Sequence, residues 1–200
     1  MTDSVRSRTT SCVNSVINLF QENPYDFLSK REIQTLLHSY LKTFIKETIT
    51  LPHPSGDRSR EEWIRTSIIR SEYPAIGRFD ISVIHPEIGR KKNNNDLWDQ
   101  PLLGAIDLEF CKAGEPFYKT LHSFIWKMDR FHGFKDTSKN KSLFQFGLAL
   151  LFSQTGLSLT SESPLQIGEV TEIEEVSGIT GYIVDDKSTY RVSSSNWEGH

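Results

Sequence analysis

Three carboxylates sit inside two short apolar stretches of this 200-residue chain. The first stretch, Arg78-Phe79-Asp80-Ile81-Ser82-Val83-Ile84, places one acid in a β-branched and aromatic run. The second, Gly104-Ala105-Ile106-Asp107-Leu108-Glu109-Phe110-Cys111-Lys112, carries two acids one residue apart. Strand side chains alternate in direction, so Asp107 and Glu109 share a face while Ile106, Leu108 and Phe110 share the other. The same rule separates Asp80 from Phe79, Ile81 and Val83. If the stretches pair, their apolar faces bury together and three carboxylates converge. Like charges held that close repel and raise one another's pKa unless a cation neutralises them. A hard cation such as Mg²⁺ (or Mn²⁺) favours oxygen ligands of this kind and takes one or two carboxylates while keeping several waters. A half-exposed strand turning its acids to water satisfies the same alternation, although strands disfavour Asp and Glu. On residue types alone both readings stand.

Several elements must position these acids. Residues 1–10 are rich in Ser, Thr and Arg and read as loose. Val13, Val16, Ile17 and Phe20 give Ser11 to Glu22 a helical stripe that Asn23-Pro24 ends. A stronger helix opens at Ser29, with Ile33, Leu36, Leu37, Tyr40, Leu41 and Phe44 on one face. Ser29 followed by Glu32 is a capping-box pattern, which gives Glu32 a structural role at the N-cap amide. Leu51 to Asp57 reads as a loop, and the second half of Glu61 to Ser71 as a strand. Between the acid strands, Arg90-Lys91-Lys92 lies in a polar, basic loop that is either a solvated tip or a grip on phosphates. Pro116 suits the first turn of a helix running from about Phe117 to His132, with Gly133 ending it. Its core side carries Leu121, Phe124, Ile125, Met128 and Phe131; Lys119, His122, Lys127 and Arg130 occupy its polar sides. Leu143 to Phe152 is almost wholly apolar, the habit of a strand buried on both faces. After Pro164 the character changes, and Glu169 to Val176 with Ile179 to Val192 reads as a small antiparallel appendage. The division expected is an N-terminal helical extension (1–28), a core (29–158) and an acidic C-terminal β appendage on the same domain (159–200).

Composition sets the outer limits. A hydrophobic fraction of 36% and a charged fraction of 24% suit a folded domain. No apolar run approaches the roughly 18–20 residues needed to span a bilayer. The first residues lack the pattern of a signal peptide, and two cysteines without metal spacing suit a reduced, cytoplasmic setting. The net charge of −3 is unevenly spread: residues 151–200 hold two basic and eight acidic residues, leaving 21 basic and 18 acidic in 1–150. A slightly basic body is compatible with a polyanion. Gly-rich phosphate loops, paired Cys/His zinc spacings and serine-nucleophile signatures are absent from the sequence.

The succession helix, strand, strand with Asp80, strand with Asp107-Leu108-Glu109, helix, buried strand resembles the core of the restriction-endonuclease-like superfamily, the PD-(D/E)xK nucleases, over about residues 29–152. The resemblance implies an α/β (α+β) fold, a mixed sheet flanked by helices in the order αβββαβ, here followed by the C-terminal appendage. It puts the motif's first acid on Asp80 and its second on Asp107, with Glu109 in the lysine position and Phe79 where the motif has proline. Reading the frame from Glu109 instead puts Cys111 in the lysine position with Lys112 beside it. Some relatives draw the lysine from the following helix, where Lys119 or Lys127 is available. The resemblance further implies metal ligation by Glu32, Asp80, Asp107 and Glu109, and catalysis by Asp80, Asp107, Glu109 and Lys127. The reaction expected is Mg²⁺- or Mn²⁺-dependent phosphodiester hydrolysis, with nucleic acid, DNA before RNA, as partner and Arg90, Lys91 and Lys92 holding it. No membrane partner is expected, and a homodimer is compatible. The missing motif lysine and the acidic C-terminal region favour the alternative, a nuclease-fold protein that no longer cleaves and serves as a binding or regulatory subunit. A protein-interaction module working through the acidic C-terminal segment is a third reading.

Overall fold

Every residue of Phe146–Ser153 is buried, and this strand lies in the middle of the main sheet. The structure is a computed structural model and describes residues 2–52, 63–73, 78–86, 100–137, 143–156 and 166–193. In chain order these form α1 (Thr2–Glu22), a 3-10 turn (Pro24–Asp26), α2 (Lys30–Phe44), β1 (Thr48–Pro52), β2 (Trp63–Ser67), β3 (Ile69–Tyr73) and β4 (Phe79–Ile84). There follow β5 (Leu102–Cys111), α3 (Phe117–Thr137), β6 (Phe146–Ser153), β7 (Gln166–Val170), β8 (Gly178–Val184) and β9 (Thr189–Ser193). The result is a mixed α+β architecture. A seven-stranded sheet in the order β3-β4-β5-β6-β8-β9-β7 is flanked by three helices, and β1 and β2 pair as a separate two-stranded sheet. No helix among the described residues is long and apolar enough to cross a membrane.

β5, β6 and β8 run parallel, with Gly104 opposite Phe146 and Phe146 opposite Gly178. The strands outside them are antiparallel. α1 covers one face, where the Phe20 ring centroid lies 5.1 Å from Phe152 and 6.5 Å from Phe110. α3 covers the other. It sits so close that a Cβ on Gly147 would stand 2.7 Å from the Phe131 ring, and one on Gly181 2.6 Å from Met128 Sδ. Those two bare positions let α3 rest directly on the backbone, which brings its polar side over β5.

Five sequence expectations are corrected. The chain is helical from Thr2, not from Ser11: Val5, Thr9 and Thr10 are buried, and the Thr9, Thr10 and Ser11 hydroxyls donate back to carbonyls four residues earlier, satisfying polar groups within the helix. Gly133 does not end α3, because Phe134 packs onto Phe79 and Phe144 at 5.2 and 5.3 Å and extends the apolar face. Thr48–Pro52, read partly as loop, is β1, and the single strand expected before Ser71 is divided at Ile68 into β2 and β3. The C-terminal segment is not an appendage. β8 pairs along its whole length with β6, so β7, β8 and β9 continue the main sheet, with Tyr182, Ile183 and Val184 in the shared core.

Candidate functional site

The backbone ladders on both sides of Asp80 are interrupted at that residue. Towards β5 the pairing stops at Ile81 opposite Ile106; towards β3 it skips from Ser71–Ile81 to Tyr73–Phe79. The residue skipped on β3, Glu72, has a left-handed backbone at φ 51°, as does Arg78 at φ 32°, a conformation uncommon for residues other than glycine. Side chains supply hydrogen bonds here. The Asp80 N–H donates to Asp107 Oδ1 at 2.9 Å, the Leu108 N–H donates to Asp80 Oδ2 at 2.8 Å, and Gln34 Nε2 donates to the Asp80 carbonyl at 2.9 Å. The Asp80 carboxylate therefore takes a β5 amide and is reached by both α2 and α3.

Lys30 of α2 places Nζ 2.9 Å from Asp80 Oδ1. Lys127 of α3, only 7% exposed, places Nζ 3.4 Å from Asp80 Oδ2 and 2.9 Å from Glu109 Oε1, and also donates to the Leu108 carbonyl. Ser123, one turn earlier, donates to Glu109 Oε1 at 2.6 Å. Arg130, one turn later, pairs with Asp107 Oδ2 and lies over the Phe79 and Trp126 rings at 5.0 and 5.3 Å. Three acids thus meet three cations. Asp107 is 1% exposed, and burial pushes its carboxyl pKa up against the opposing pull of Arg130. Burial works against the charge on Lys30, but its hydrogen bond to Asp80 and the fields of Asp80 and Glu109 outweigh this and raise its pKa.

Asp80, Asp107, Glu109 and Lys127 are brought together. Lys119 is exposed, with no role at the cluster. Glu32 is not brought in. Its carboxylate accepts the Leu28 amide at 2.6 Å, one residue beyond the expected N-cap amide, and Ser29 makes no side-chain cap bond. Two residues on from Lys30 is about 200° round the helix, so Glu32 faces away from the side of α2 that holds Asp80. There it borders a shallow surface depression with Arg31, Thr35 and Ser39. Arg90, Lys91 and Lys92 lie outside the described residues. Sequence reasoning missed Lys30 and Arg130 as partners of the acids. A signal existed for Arg130: Ser123, Lys127 and Arg130 are spaced by four and three residues, about 6 and 4.5 Å of helix. The two-residue step from Asp107 to Glu109 spans about 6.6 Å of strand, so the two rows can lie in register.

Among the described residues no group of three or more His, Cys, Asp or Glu side chains is arranged to hold a metal ion; the acids are turned onto the chain's own cations. The surroundings of Lys127 Nζ nevertheless test what cation would suit them. One positive charge is held by Asp80 Oδ2, Glu109 Oε1 and the Leu108 carbonyl, an all-oxygen donor set with two carboxylates, which fits a hard divalent ion. Asp107 is already committed, one oxygen to the Asp80 amide and the other to Arg130. No family model, no curated protein and no solved structure matches this chain.

Proposed function

We propose that this chain is a restriction-endonuclease-like nuclease that hydrolyses phosphodiester bonds in nucleic acid, DNA before RNA, with Mg²⁺ or Mn²⁺. The observation that carries this reading is the meeting of Asp80 and Glu109, from two neighbouring strands, on Lys127 from the helix that follows. Lys127 then fills the role of the lysine missing from the Asp107-Leu108-Glu109 motif. Asp80, Glu109 and the Leu108 carbonyl would hold the ion; when bound, it supplies polarisation of the scissile phosphate and a lowered pKa for coordinated water. Asp107 positions Asp80 through its backbone amide. Lys127, released from the oxygen nest, carries its positive charge to the phosphate oxygens, and Lys30, the more exposed lysine at 36% of its side chain, meets the strand from the α2 side.

The test is cleavage of single-stranded, duplex and branched DNA and of RNA with each cation, comparing the native chain with Glu109→Gln and Lys127→Met. Cleavage that needs the cation and falls at least about 100-fold in both variants is expected, the scale on which a positioned charge or proton-transfer group contributes. A native chain that cuts none of these substrates overturns the enzyme. One observation favours the second reading, a binding or regulatory subunit of the same fold: Lys30, Lys127 and Arg130 already balance the three acids charge for charge. Retained nucleic-acid binding without cleavage is its signature.

A further inference from the structure

Three exposed planar side chains, Tyr118, His122 and Trp126, follow one another at four-residue intervals along α3, and the same spacing leads on to the half-buried Arg130. Tyr118 is 68% and Trp126 56% exposed, and His122 is exposed as well. Each four-residue step advances the helix by about 6 Å and turns it by about 40°, so the row winds gently for about 18 Å. It ends at the acid cluster, because Arg130 stacks on Trp126 at 5.3 Å while its guanidinium pairs with Asp107. Phe79 holds the guanidinium at 5.0 Å, which fixes the end of the row nearest the site.

We propose that this row is a stacking track for single-stranded nucleic acid, leading an unpaired strand towards Asp80, Glu109 and Lys127. The proposal rests on the nuclease reading for the identity of its ligand and names that ligand's class. Side-chain chemistry makes the choice. Tyr, Trp and His rings and the Arg guanidinium are the planar groups on which unstacked bases lie, and such stacking tolerates any base because every base has a π-face. The aliphatic residues that would serve an apolar protein partner, Leu121 and Ile125, are packed against the core instead. Charge agrees: outside the acid cluster α3 exposes Lys119 and Lys135 against Asp129, a slightly positive outer side suited to a polyanion. In a duplex the base faces are covered by their neighbours, so only an unpaired strand can use the row.

The experiment measures binding without cleavage, using the full chain with chelator. Fluorescence anisotropy follows a labelled oligothymidylate, an abasic oligonucleotide of equal length and a blunt duplex. The native chain should prefer oligothymidylate. Trp126→Ala should weaken that binding about 5- to 100-fold, the range for loss of one stacked base, leave abasic binding unchanged and leave the melting temperature in place, while Trp126→Phe restores most of the affinity. Equal losses for oligothymidylate and abasic strands, no loss in Trp126→Ala combined with Tyr118→Ala, tighter binding of the duplex, or no binding of any nucleic acid overturns the track. Stacking that depends on Trp126 in a chain that cuts nothing removes the nuclease and leaves the track standing. Metal-dependent cleavage indifferent to Trp126 does the reverse.

Discussion

Asp107 places a carboxyl where burial resists its charge. With the carboxyl 1% exposed, burial raises its pKa despite Arg130. A carboxyl with a folded-state pKa above its unfolded value of about 3.9 binds its proton more readily when folded. Between those two pKa values stability therefore falls as pH rises, and the penalty is complete above the folded value. Asp107→Asn removes that penalty, while an amide oxygen can still accept the Asp80 N–H. In chelator at pH 7 the melting temperature should rise by roughly 2–4 °C for a gain of ~1 kcal/mol, and the gain should shrink as pH is lowered towards 4. A fall at neutral pH would mean that the pair with Arg130 outweighs desolvation. Acids retained at a stability cost are more typical of functional sites than of structural ones.

At the scale of elements, the site depends on how closely α3 lies on the sheet. Its cations reach β5 only because β6 and β8 offer glycine where the helix presses. Gly147→Ala would put a Cβ 2.7 Å from the Phe131 ring, and the base of a packed ring cannot swing aside as a flexible chain end can. The substitution should cost ~1–3 kcal/mol in denaturant unfolding, the usual range for overpacking. Because the helix must lift, any activity that needs Lys127 should fall with it. Wild-type stability together with full activity would show that α3 can shift without disturbing the ion pairs.

Across the whole molecule, the first helix is tied to the last third of the chain. Asn14 Nδ2 donates to the Ile173 carbonyl at 2.8 Å and Asn14 Oδ1 accepts the Ile173 N–H at 3.1 Å; the Val176 N–H donates to Thr10 Oγ1 at 3.0 Å; Arg6 pairs with Glu175. The acidic segment before β8 thus acts as a clasp on α1. Asn14→Ala leaves both backbone groups of Ile173 without these partners and should cost ~1–3 kcal/mol. Unfolding should remain a single transition by far- and near-ultraviolet dichroism, since α1 also shares the Phe110–Phe152 core. Separation into two transitions would instead make the C-terminal strands an independent unit.

Patterns within one element were legible from the residues alone. Alternation set Asp107 and Glu109 against Ile106, Leu108 and Phe110, and the almost wholly apolar run from Leu143 marked the strand that proved central. The 3.6-residue repeat put Phe124, Met128 and Phe131 in the core and left Lys127 on a polar side. These follow from backbone geometry, which acts over a few residues and is the same wherever the element ends up. The choice of partner depended on the tertiary structure. Lys30 lies 50 residues from Asp80 in sequence, and no periodicity ties the two; Arg130 lies 23 from Asp107, and its spacing from Lys127 made the pair possible without selecting it. Glu32 carried the right charge in the right helix and was excluded by about half a turn. β8 looked like part of a local hairpin until β6 offered it a parallel edge. Strand pairing and charge neutralisation both act through space between distant segments, and their outcome is fixed only when the whole chain packs.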